Sequence, residues 1–169
     1  MDALSLRALQ APIKERYRSD AEAAVITLRA QGTLDAEKIA CKVETGRALA
    51  LAGLHPASGG SGAELCSGDM LLEALVACAG VTLKAVSTAL EIPVRQGTVK
   101  AEGDLDFRGT LGVDKEAPVG FRAIRLSFEL DTDASQEKID QLLKLTERYC
   151  VIFQTLNHKP ELSVASTRP

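Results

Sequence analysis

The sequence predicts an α+β fold in a single unit, and three features carry that expectation. The run from Asp69 to about Glu91 has the length of a helix and is apolar on nearly every face, with charge only at Asp69, Glu73, Lys84 and Glu91. A helix hydrophobic all round is a buried one, so this segment is expected at the centre of the domain. The segments 94–108 and 119–131 alternate apolar and polar residues with the period of a strand. The chain has 169 residues, 46% of them hydrophobic and 25% charged, which is the composition of a globular protein and not of a disordered or fibrous one. One domain of ~100–200 residues accounts for that length. Such a chain buries about 70% of its unfolded surface without a metal or disulfide staple.

Taken in order, residues 1–20 place Leu6, Leu9, Ile13 and Tyr17 three or four apart, with Lys14, Glu15, Arg16 and Arg18 between them. They read as an amphipathic helix or arm ahead of a single domain at 21–169. Residues 22–32 and 37–45 read as the strands of a hairpin. The apolar run Arg47 to His55 reads as a third strand, although its Ala and Leu favour helix. Pro56-Ala57-Ser58-Gly59-Gly60-Ser61-Gly62 is the only Gly/Ser-rich stretch and reads as a loop. Pro93 ends the central helix. In the strands that follow, Val99, Ala101, Gly103, Leu105 and Phe107 share one face, and Ile124, Leu126, Phe128 and Leu130 another. Asp133, three residues before Gln136, is expected to open the next helix in a loose capping box. The apolar side of that helix is Ile139, Leu142, Leu143 and Tyr149. The pattern shifts at Cys150, after which 151–157 reads as a further helical piece and 161–166 as a last strand.

Charge and composition narrow the function. Lys and Arg number 20 against 23 Asp and Glu, a net charge of −3, which speaks against nucleic-acid binding. Two Tyr, four Phe and no Trp leave no stacking platform for single strands. The segment Met1-Asp2-Ala3-Leu4-Ser5-Leu6-Arg7 carries an acid at once and has no continuous apolar run, unlike a secretory signal. The most apolar stretch, 74–83, is bounded by Glu73 and Lys84 and falls short of the ~20 residues that span a bilayer. A cytoplasmic location with reduced cysteines is therefore expected. The Gly-rich loop has neither a following Gly-Lys-Ser/Thr nor a Gly-x-Gly-x-x-Gly, so phosphate binding is not expected. Cys41, Cys66, Cys78 and Cys150 stand apart and His55 and His158 are not at helical spacing, so no metal or bound cofactor is expected either.

Four isolated cysteines remain. Cys41, with Ile39 and Val43 at period two, is expected to face the core. Cys66 follows the Gly-rich loop, where a reactive thiol and a loop anchor are both open readings. Cys78 lies among Ala77, Ala79 and Gly80, small residues that let a ligand or another backbone approach, and is otherwise a small core hydrophobe. Cys150 stands at a helix break, where free N–H groups lower a thiol pKa.

Two segments carry a resemblance. Gly68-Asp69-Met70-Leu71-Leu72-Glu73-Ala74-Leu75-Val76-Ala77-Cys78-Ala79-Gly80-Val81-Thr82 resembles the cysteine helix of the OsmC/Ohr family, the osmotically inducible and organic-hydroperoxide-resistance proteins. Thr146-Glu147-Arg148-Tyr149-Cys150-Val151-Ile152-Phe153-Gln154-Thr155-Leu156 resembles the family's second cysteine and the short helix after it. The interval of about 70 residues, filled by strands, also fits, and the element order matches from 22 to 166. The resemblance implies a divergent member with antiparallel sheets wrapped around a buried central cysteine-bearing helix, in an intertwined homodimer with its sites at the subunit interface.

The resemblance further implies a thiol peroxidase without haem or metal. Cys78 would attack an organic hydroperoxide and become a sulfenic acid, Cys150 would close a disulfide with it, and an external dithiol of lipoyl type would reset the pair. Cys78 is nine residues past Asp69 and so beyond the dipole of its own helix terminus, and burial favours a neutral thiol. An imported cation is therefore expected. The family uses an Arg from the strand before the loop, oriented by an acid at the start of the cysteine helix. Asp69 takes the acidic position, one methylene shorter than the usual Glu, and Arg47 or His55 the cationic one. Val151 stands where the family often has Pro. Two other readings stay open: a non-catalytic protein that binds a hydrophobic ligand at the dimer interface, and a Cys–His acyl-transfer enzyme using His158 or His55.

Overall fold

The computed structural model describes residues 2–5, 7–8, 10–11, 19, 31–34, 40–44, 49–112 and 114–168, the strand residues up to 49 by their backbone alone. The described residues of the N-terminal arm are helical at 3–5, 7–8 and 10–11. Arg7 reaches Glu91 at 3.4 Å across an exposed ion pair.

A first sheet has strands in the order β1 (Gln31–Leu34), β2 (Ala40–Glu44), β3 (Leu49–Gly53) and β4 (Leu65–Cys66). The first three are antiparallel, with Cys41 opposite Leu34 and Ala52. A hairpin is present and its second strand falls within the expected 37–45, but the first runs on to Leu34 and meets the expected 22–32 only at Gln31 and Gly32; 22–30 and Arg47 lie outside the described residues. β3 is a strand despite its Ala and Leu because pairing along β2 outweighs a weak intrinsic preference. β4 departs from the antiparallel expectation and runs parallel to β3, Gly53 opposite Cys66. The loop between them opens with a single 3-10 turn, Pro56–Ser58, closed by Gly59 at φ +92.

Helix α1 (Ser67–Ala89) follows directly. Leu75, Ala79, Leu83 and Ser87, four apart, are its buried row, while Val81 is 73% exposed. Within one chain the helix is therefore one-sided, and the all-round burial expected from its composition is not met. By length and composition the whole helix is also apolar enough to cross a membrane, which the shorter run 74–83 did not suggest; here its buried row packs on protein. It ends at Ala89, ahead of Pro93, and Glu91 at φ +57 turns the chain.

β5 (Gln96–Leu105) and β6 (Phe121–Asp131) form a two-stranded antiparallel sheet with Val99 opposite Phe128 and Ala101 opposite Leu126. The alternation is as expected: Val99, Ala101, Ile124, Leu126 and Phe128 pack inward around Leu75, Ala79 and Cys150. Outward, Lys100 pairs with Glu129 and Arg125 with Asp104. These exposed pairs hold little energy but keep the outer face wet. Phe107 does not extend β5; it opens the four-residue helix α2 (Phe107–Thr110), capped by the Asp106 carboxylate accepting from the Arg108 amide at 3.1 Å.

Helix α3 (Gln136–Tyr149) and helix α4 (Val151–Asn157) complete the fold. Asp133 is not the cap of α3. Its carboxylate and that of Asp131 both pair with Arg95, and Ser135 takes the N-cap position. A guanidinium with two carboxylates in reach outcompetes a capping bond to one amide. Tyr149 is 58% exposed and so leaves the expected apolar side, its ring beneath the Arg148 guanidinium at 5.6 Å. The expected strand at 161–166 is irregular chain, with Val164 fully exposed. An alternating pattern makes a strand only where another strand pairs with it, and none of the described strands does.

The buried row of α3 is Leu142, Thr146 and Cys150, again four apart. Rows of this spacing on two helices interdigitate as ridges and grooves. Leu142 clusters with Leu83 and Ile92, and Cys150 with Leu75 and Ala79, so the two helices run antiparallel. Each fully buried leucine contributes about 2 kcal/mol, and this packing delivers the end of α3 to the middle of α1.

Candidate active site

Cys78 sits one residue from the buried row of α1 and is partly exposed, while Cys150 ends the row of α3 with no exposed surface. Both are free thiols. The structure packs Cys78 against the cluster of Leu75, Ala79 and Cys150, and the Cys150 thiol and the amides of Ile152 and Val151 favour the ionised form of Cys78. Those amides are available because the backbone at Cys150 (φ −73, ψ 107) leaves the helical conformation.

The two sulfurs are pushed in opposite directions. For Cys78 burial is the largest single influence and opposes ionisation, but it is outweighed by the Ile152 amide, the Cys150 S–H, the Val151 amide and the Thr82 hydroxyl, so its pKa lies below that of an ordinary thiol. The Thr82 hydroxyl has one hydrogen and in this structure gives it to the Cys78 carbonyl at 2.7 Å, so the amides and Cys150 carry the effect. For Cys150 burial again comes first, and the adjacent Cys78 adds to it, so its pKa lies above the ordinary value. One thiol is set to ionise and the other to keep its proton and donate it.

The other expected site residues lie elsewhere. Asp69 is exposed in the first turn of α1 and has no hydrogen bond or ion pair among the described residues. His55 accepts a hydrogen bond from the Ala57 amide at Nδ1, 3.0 Å, and its ring stacks on Phe107 at 5.0 Å. It lines a cavity of about 360 Å³ together with Cys66, Leu71 and Phe121. Arg47 is outside the described residues. Backbone amides thus act on Cys78, and the cation expected from Arg47 lies outside the described residues. The signal for them was the helix break at Cys150, but its free N–H groups serve the sulfur of Cys78 across the interface and not only the cysteine at the break.

A second, apolar groove of about 490 Å³ is lined by Leu71, Leu75, Arg122, Ile124, Phe153 and Leu156 and by neither cysteine; Leu75, Ile124 and Phe153 link it to the cluster that holds Cys78 and Cys150. Leu71 and Phe121 border both cavities. Phe121 is seated by Gly103, where a Cβ would stand 2.4 Å from its ring. No group of three or more potential metal ligands occurs among the described residues.

Fold and site together define a small α+β protein with a polarised dithiol between two antiparallel helices. The chain belongs to the OsmC-like protein family, whose model matches residues 60–165. The fold is shared with an OsmC-like protein from Mycoplasma pneumoniae (17% identity, 79% of this chain and 89% of that one, TM-score 0.66). It is also shared with an organic hydroperoxide resistance protein from Elizabethkingia anophelis (15%, 80% and 91%, TM-score 0.64). A third such structure is the organic hydroperoxide resistance protein OsmC from Legionella pneumophila (14%, 78% and 90%, TM-score 0.61). No curated protein matches the sequence.

The polarity of the pair makes a direct prediction. Between about pH 6 and 9, iodoacetamide modifies Cys78 before Cys150, and the Cys78 rate falls only as pH drops through a midpoint below the ordinary thiol range of about 8.5. Cys150→Ala removes the S–H donor and raises that midpoint by about one unit. Peptide mass analysis of the alkylated protein reads both, and earlier modification of Cys150 would contradict the assignment.

Proposed function

We propose that this protein is a thiol peroxidase that reduces organic hydroperoxides through Cys78 and Cys150. The observation that carries the reading is the contact between two free thiols whose pKa values are displaced in opposite directions. Family membership and the fold shared with proteins named for organic hydroperoxide resistance support it.

In the first step the Cys78 thiolate attacks the terminal oxygen of the hydroperoxide. An S–O bond forms, the O–O bond breaks, and the alkoxide takes a proton and leaves as the alcohol, while the sulfur is oxidised to a sulfenic acid. In the second step the Cys150 sulfur attacks the Cys78 sulfur. The sulfenic hydroxyl leaves as water with the proton that Cys150 gives up, and a disulfide remains. An external dithiol, of the lipoyl type that the resemblance implies, then exchanges with this disulfide, restoring both thiols and closing its own disulfide. The partly exposed Cys78 suits the attacking role and the fully buried, protonated Cys150 the resolving one. The apolar groove, which shares Leu75, Ile124 and Phe153 with the cluster around the pair, suits the organic part of the substrate.

Within this reading the working unit is a homodimer. The exposed apolar side of α1 at Val81, with the exposed Leu162 and Val164 of the C-terminal segment, is surface that a second copy would cover. Such a cover would also complete the burial of α1 that its composition implies.

Two measurements test the proposal. Peroxide turnover with a dithiol is lost in Cys78→Ser, whereas Cys150→Ser still releases about one equivalent of alcohol and accumulates a sulfenic acid that dimedone traps; unchanged turnover in Cys78→Ser would refute the mechanism. Sedimentation gives twice the chain mass for the native protein, and Val81→Asp shifts it toward the monomer; a native monomer would remove the dimer from the account.

A further inference from the structure

Gly68, Leu71, Leu75 and Cys78 follow one another along α1 at intervals of three or four residues, so they share one face of the helix. At a rise of 1.5 Å per residue, Leu71 stands about 10 Å and Gly68 about 15 Å from Cys78 along the axis. The groove of about 490 Å³ is lined by Leu71 and Leu75, and the cavity of about 360 Å³ by Leu71 and Gly68. The two spaces therefore succeed each other along α1, the groove nearer the thiol and the cavity beside the first turn. The Phe121 ring borders both. Its edge lies on Gly103 of β5, where a Cβ would stand 2.4 Å from Cε1. Its tip reaches α1, where a Cβ on Gly68 would stand 3.5 Å from Cζ. The ring thus spans the gap between sheet and helix, and the missing side chain at Gly103 is what lets it lie there.

We propose that Phe121 is the specificity-determining residue of the site: its ring closes the groove about two helical turns from Cys78 and so limits the length of the unbranched alkyl chain that a hydroperoxide can lay there. The inference rests on reading Cys78 as the reacting thiol. Leu75, Ile124 and Phe153 belong both to the groove and to the cluster that holds Cys78 and Cys150. A substrate whose peroxide group meets Cys78 therefore sets its next carbons against these three side chains. An extended chain of about eight carbons covers the distance to Leu71, and one of about twelve covers that to Gly68. Each methylene buried in an apolar groove favours binding about three- to fourfold, so the gain per carbon stops where the ring stands. Behind the ring the space is already walled by apolar side chains, Leu105 and Phe107 among them. Removing the ring joins the two spaces and lengthens the site.

The test measures kcat/KM of the full-length protein, with a dithiol, for primary straight-chain alkyl hydroperoxides of about four to about twelve carbons. In the native protein kcat/KM is expected to rise with each carbon up to about eight and to gain nothing beyond. In Phe121→Ala the rise continues to about twelve, so that the longest substrate outruns the eight-carbon one by roughly tenfold or more. Phe121→Leu, a smaller truncation that keeps more of the core filled, moves the break in the same direction by fewer carbons. Val119→Ala enlarges the cavity without touching the groove and leaves the break where it is. A second measurement needs no turnover: the rate at which N-alkylmaleimides of the same chain lengths modify Cys78, read on the Cys78 peptide, shows the same break and the same shifts. A break that stays in place in both Phe121 variants overturns the inference. So does a native profile indifferent to chain length, which a second copy of the chain seated in the groove would produce. A native protein that reduces none of the hydroperoxides yet shows the break with maleimides supports the inference about Phe121 and overturns the peroxidase reading instead, which keeps the two failures apart.

Discussion

A thiolate inside a protein gives up its water, and unless donors replace that water the proton stays on sulfur. Here the donors come from one irregularity, the break between α3 and α4. A helix that ran through Cys150 would spend its N–H groups on its own carbonyls. Broken at that residue, it releases two of them toward a neighbouring helix and presents a buried S–H beside them. The same break makes Cys150 both the end of a packing row and a reactive neighbour.

The surrounding fold holds that break in register. Leu83 against Leu142 and Leu75 with Ala79 against Cys150 fix how far α3 slides along α1. A slip by one turn, about 5.4 Å, would remove both the amides and the second sulfur from Cys78. The inward residues of β5 and β6 close the far side of the same cluster. Packing that elsewhere serves stability alone here also sets a distance between two sulfurs, which is why the chemistry sits on helices and not on loops.

Much of this architecture can be read in the residues. The helices at 67–89, 136–149 and 151–157 and the strands at 96–105 and 121–131 follow from periodicity that their packing respects. The misreadings have physical causes. Asp133 has the right spacing for a cap, but Arg95, distant in sequence, binds it more strongly. The tail at 161–166 alternates like a strand, yet a ladder needs a partner and none of the described strands is one. Composition makes α1 a buried helix, while a single chain covers only one row of it. Cys78 and Cys150 stand out by their small neighbours and the helix break, but only the resemblance pairs them, because nothing in their spacing says that they meet. The amides of Val151 and Ile152 were not found, since backbone groups carry no side-chain signature and their direction depends on one dihedral angle at Cys150.

The central claim is that Cys78 and Cys150 act as one redox unit. The most direct measurement is mass mapping of disulfides after one equivalent of an organic hydroperoxide is added to the fully reduced protein. The account predicts a single intramolecular bridge between Cys78 and Cys150, with Cys66 still free. A bridge that includes Cys66, or a protein that keeps all its thiols while the hydroperoxide persists, would contradict it.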